Sequence, residues 1–96
     1  MDSAKQYEVS IPSAFYLEYR DSGRVMKIDM DFRDPVPLLS HLAISSWEPP
    51  NDTEPITEAM KREIIRNVIF YLDKVRGFRF EVDGGDLVDS QKYPLP

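Results

Sequence analysis

A small α+β domain is the fold this sequence predicts, a two-layer sandwich in which an antiparallel β-sheet of three to five strands (β-β-β-α-β) is covered by one amphipathic helix. Three observations predict it: period-two alternation of apolar and polar residues over 15–32, apolar residues at helical spacing from Met60 to Val75, and a second short alternation over 78–82. A sheet with one apolar face and a helix with one apolar stripe bury each other. At 96 residues the chain has no apolar reserve for a second core, so residues 1–96 read as a single domain.

The first strand signal is FYLEY, where Phe15, Leu17 and Tyr19 face one way and Tyr16, Glu18 and Arg20 the other. Asp21, Ser22 and Gly23 follow as a tight turn, in which Gly23 supplies a positive φ. In the next run Met26, Ile28, Met30 and Phe32 alternate with Val25, Lys27, Asp29 and Asp31, which predicts an antiparallel hairpin with one wet face. An additional N-terminal strand is expected over Tyr7 to Ile11. Pro35 and Pro37 each lack a backbone donor, so the chain turns there. From Leu38 to Trp47 a weaker third strand is expected, with Leu42 and Ile44 alternating against His41, Ala43 and Ser45.

Three prolines stiffen the connection from Glu48 to Ile56. Thr57 is the expected N-cap of the helix, with Glu58 in its first turn complementing the helix dipole. Met60, Ile64, Ile65, Val68, Ile69, Leu72 and Val75 form the stripe that should face the sheet, and Gly77 is placed to end the helix. Phe78, Phe80 and Val82 predict the last strand. The ordered core is expected over about 7–83, with 84–96 as a loosely attached tail.

Composition bounds the chemistry. Without cysteine there is neither a disulfide framework nor a thiolate metal site. The formal charge of −5 and pI near 4.7 argue against nucleic acid or an anionic membrane as partner, since both require clustered Lys and Arg, and favour a basic protein. The start MDSAKQYEVSIP carries neither the basic segment nor the apolar stretch of a signal peptide, which predicts a cytoplasmic location. His41 stands in no frame with a nucleophile or an acid, so it reads as structural and no catalytic residue is assigned. Asp29 and Asp31 share a strand face about 7 Å apart, and with Asp34 they resemble a hard-cation cluster. The simpler reading is the solvated side of an amphipathic strand, and neither a metal nor a cofactor is expected. The acidic turn Asp83-Gly84-Gly85-Asp86 lacks the frame of a calcium loop.

Charge layout is more informative. Glu48, Asp52, Glu54 and Glu58 give the proline loop and helix start four negative charges with no basic residue among them. A stiff acidic loop loses little entropy on docking and speeds encounter with a basic partner. Trp47, at its root, reads equally as a core ring or as an interface anchor, while Tyr16 lies on the face opposite Tyr19. The candidate partner-binding residues are therefore Trp47, Glu48, Asp52, Glu54 and Tyr16.

The run Trp47-Glu48-Pro49-Pro50, then Glu54-Pro55-Ile56-Thr57, then Ile64-Ile65-x-Asn67-Val68 resembles a family of small bacterial proteins with a W-x-P-P loop and an I-I-x-N helix. The hairpin LEYRDSGRVMKID is similar too, so the resemblance covers about residues 15–82. Such proteins are similar to immunity proteins encoded beside polymorphic or contact-dependent toxins. The resemblance implies a non-catalytic protein that neutralises a cognate toxin, such as a basic nuclease, through an acidic surface. The alternatives are a structural module that self-associates, for example as a homodimer, and, behind it, a metal-dependent enzyme or metal-binding protein that uses His41 or Asp29, Asp31 and Asp34. One departure is Met60, which stands where an acidic residue would complete a capping box with Thr57.

Overall fold

The computed structural model describes residues 7–83; the expected tail at 84–96 lies outside them. Its strands are β1 (Tyr7–Ser13), β2 (Tyr16–Asp21), β3 (Arg24–Asp29), β4 (Leu38–Ser40) and β5 (Glu81–Asp83), with helix α1 (Glu58–Phe70) between β4 and β5. The first three form an antiparallel sheet in the order β1-β2-β3, so the additional N-terminal strand is present and runs two residues beyond Ile11.

Register follows the alternation. Leu17 pairs with Ile28, and Tyr19 pairs with both Val9 and Met26, which places these side chains on the face toward α1. Ser22 and Gly23 both have positive φ, at 54° and 81°, between the paired residues Asp21 and Arg24. That two-residue loop matches the right-handed twist of the flanking strands. In β1 the pairing shifts between Ser10 and Ser13, where Pro12 cannot donate to the ladder. Phe15 was expected inside with Leu17 and Tyr19; it stands in the turn between β1 and β2 and is 56% exposed.

The third predicted strand is mostly absent. Only Leu38–Ser40 are extended, and the chain then tightens into a 3₁₀ turn over His41–Ala43. The Ser40 hydroxyl accepts the amide of Leu42 at 3.2 Å, a local bond that competes with strand geometry and leaves Leu42 75% exposed. β4 pairs with β5, in parallel, rather than joining the antiparallel sheet. Parallel pairing requires a long crossover, and α1 supplies it.

Thr57 caps α1 as expected, its Oγ1 accepting the amide of Met60 at 3.1 Å. With Met60 in place of an acid, the reciprocal half of the capping box is missing. Ile64, Ile65, Val68, Ile69 and Leu72 are buried against the sheet. The helix continues as a wider π-turn over Tyr71–Val75, and this extra rotation swings Val75 off the stripe into solvent. Gly77, at φ 66°, reverses the chain so that the Phe78 amide bonds the Leu72 carbonyl at 2.8 Å. Phe78 then packs on Phe32 with ring centroids 6.0 Å apart.

Candidate functional site

The acidic loop is anchored to the sheet at its root. Trp47 is 1% exposed, between Tyr19 at 6.4 Å centroid separation and Arg24, whose guanidinium carbon lies 4.4 Å from the indole centroid. The even choice between core and interface thus resolves to core burial, from which the ring positions the loop. Its indole Nε1 is buried and finds no acceptor among the described residues.

The next residue, Glu48, donates its amide to the Val25 carbonyl at 2.7 Å, which adds the loop to the outer edge of β3. Two consecutive turns follow, closed by Asn51 N–H to Glu48 C=O and Glu54 N–H to Asn51 C=O, each 3.0 Å. The Pro49–Pro50 peptide within the first turn is cis.

Side chains complete the anchor. Arg24 pairs through Nη1 with Glu54 Oε1 at 3.2 Å, while Asn51 Nδ2 donates to Glu54 Oε2 at 2.6 Å. Glu54 is therefore committed inside the loop, and its charge is offset by Arg24. Glu58 pairs with Arg62 one helical turn on, at 3.1 Å. Of the four carboxylates, Glu48 and Asp52 have no cation partner among the described residues; Asp52 is exposed and Glu48 half-buried.

Tyr16 is not brought to this loop. It lies on the outward face of β2 as the register partner of Asp29, with Lys27 Nζ 5.1 Å from its ring. Asp29 is four residues from Val25 along β3, about 13 Å at the strand rise. The five candidate residues thus divide into a loop group and a residue at the other end of the sheet.

Arg24 and Asn51 were missed by sequence reasoning. Arg24 lies 30 residues from its partner Glu54, and no local pattern announces such a pair. Asn67 did carry a signal, as the polar member of I-I-x-N. It donates Nδ2 to the Tyr19 hydroxyl at 2.8 Å, satisfying a phenol that would otherwise be orphaned between sheet and helix.

Burial pushes the Tyr19 phenol up from 10.0 to about 12, and nearby acidic groups add to this against the opposing bond from Asn67. In the unfolded chain the phenol ionises near its ordinary value, so its protonated, buried state stabilises the fold fully below pH 10 and loses that contribution as pH rises toward 12. Wild-type melting temperature should therefore fall over this window more steeply than that of Tyr19→Phe, as read by circular dichroism. Parallel profiles would remove Tyr19 from the pH dependence.

His41 has a structural contact: its Nδ1 lies 2.9 Å from the Asp83 carbonyl, joining the 3₁₀ turn to β5. Among the described residues no three His, Asp or Glu side chains gather as a metal site, and no helix is long and apolar enough to cross a membrane.

Among the described residues the molecule is thus a small α+β domain with one α-helix, whose braced loop carries two carboxylates without a cation partner. Residues 9–83 match the Immunity protein 74 family, and the chain belongs to it. Membership implies a toxin-neutralising immunity role with a protein toxin as partner. No curated protein and no solved structure matches the chain.

Proposed function

We propose that this immunity protein neutralises its cognate toxin in the cytoplasm by binding alone, without catalysis, and that the acidic loop docks on a basic surface of the toxin. The observation that carries this reading is the bracing of the loop. Trp47, Arg24, Glu54 and Asn51 hold its backbone, leaving Glu48 and Asp52 without a cation partner among the described residues. A braced loop loses little conformational entropy when it docks, and uncompensated carboxylates steer a basic partner.

In this reading Glu48 and Asp52 meet the toxin. Glu54 and Trp47 act through the loop's position, and Tyr16 contributes at a separate contact. Calorimetric titration with the cognate toxin domain is the test, comparing wild type with Glu48→Lys/Asp52→Lys. The double variant should bind more weakly while melting as the wild type does.

A further inference from the structure

We infer a second toxin contact at the opposite end of β3, a shallow groove that takes an apolar side chain flanked by Lys or Arg on a basic segment of the toxin. The groove encloses about 570 Å³. Phe15, Leu38, Leu42 and Met30 supply the apolar part of its lining, and Asp29 and Asp34 belong to the acidic part. Phe15, Leu38 and Leu42 are 56%, 48% and 75% exposed, although each is large enough to belong in a core. Large apolar side chains gathered on one exposed patch with a polar margin mark an interaction surface.

Charge decides what covers it. Asp31, also on the lining, is already met by Arg33, whose two nitrogens bond its carboxylate at 2.9 and 3.1 Å and hold it below the ordinary carboxylate range. Arg33 also lies over the Phe15 ring at 4.5 Å, steadying it. Asp29 and Asp34 have no cation partner among the described residues; Asp34 only accepts the Val36 amide, at 2.9 Å. A second copy of this chain is a poor occupant, because an isologous contact brings the same carboxylates face to face. A basic segment bearing one apolar side chain satisfies both the apolar and the acidic parts of the lining. Tyr16, the register partner of Asp29, stands beside this groove rather than beside the loop.

The inference rests on the toxin-binding reading, and its test separates the two. Leu42→Ser and Asp29→Lys are made in the full chain and titrated calorimetrically against the same toxin domain, at low and at moderate salt. Both side chains are exposed, so melting temperatures should stay at the wild-type value. Leu42→Ser should weaken binding on the order of tenfold at either salt concentration, as expected for a lost apolar anchor. Asp29→Lys should weaken it mainly at low salt. Wild-type affinity in both variants, with Glu48→Lys/Asp52→Lys still impaired, overturns the groove and leaves the acidic loop standing. Absence of wild-type binding to the toxin overturns both. A dimer in light scattering that Leu42→Ser converts to monomer assigns the groove to self-association and overturns the inference as well.

Discussion

Replacing Ile65 by aspartate is expected to abolish folding at ambient temperature. Ile65 is fully buried at the centre of the α1 stripe, beside Ile64 and Val68. Losing a buried isoleucine removes about 1.5–3 kcal/mol of burial. An unpaired carboxylate in an apolar interior costs several more, which together approach the roughly 5–15 kcal/mol that hold a small domain. The single tryptophan makes the result easy to read. Circular dichroism should lose its cooperative melt, and Trp47 emission should shift toward that of a solvated indole. Val68→Asp should behave alike. A cooperative wild-type melt in either variant would mean that this face of α1 is not the buried one.

Truncation of Trp47 to alanine should cost about 3–5 kcal/mol, in the range of large aromatic deletions from cores. Its larger consequence is local. The indole is the surface on which Arg24 lies, and Arg24 in turn holds Glu54, so the loop loses its brace along with the ring. Urea denaturation followed by circular dichroism should show the lower midpoint. Toxin affinity should fall in addition, under conditions where the variant is still folded. Trp47→Phe is expected to be milder in both respects, since it keeps an aromatic face for Arg24 and removes the indole N–H that has no acceptor among the described residues. Equal midpoints for Trp47→Ala and wild type would contradict a core role for the ring.

The hairpin was legible because β2 and β3 are half-buried, and burial on one face writes itself as alternation. Ser22-Gly23 and Thr57 were legible because positive φ and capping select particular residue types. The region after Pro37 was not. There the apolar alternation is only a few residues long, and a single Ser40 hydroxyl bond outweighs it. The parallel pairing of Leu39 with Val82 left no local trace, because the partners are separated by the whole crossover. Val75 was misplaced because helical spacing assumes an α-helix, and the last turn widens to a π-turn.

The site was legible only in outline. Charge counting located the acidic loop, but it could not separate Glu54, neutralised by an arginine from β3, from Glu48 and Asp52, which have no cation partner among the described residues. Nor could it tell which side of the sheet edge Trp47 would occupy. These are long-range contacts that the hairpin turn and the crossover bring about.

The most direct test of the central claim is the salt dependence of toxin binding by Glu48→Lys/Asp52→Lys, measured calorimetrically beside the wild type. If the two carboxylates face a basic toxin surface, the double reversal should weaken binding on the order of tenfold to a hundredfold at low ionic strength. The gap should narrow as salt shortens the Debye length to a few ångströms, about 3 Å at 1 M. Equal affinities with equal salt slopes, in a variant that melts as the wild type does, would contradict the acidic loop as the docking surface.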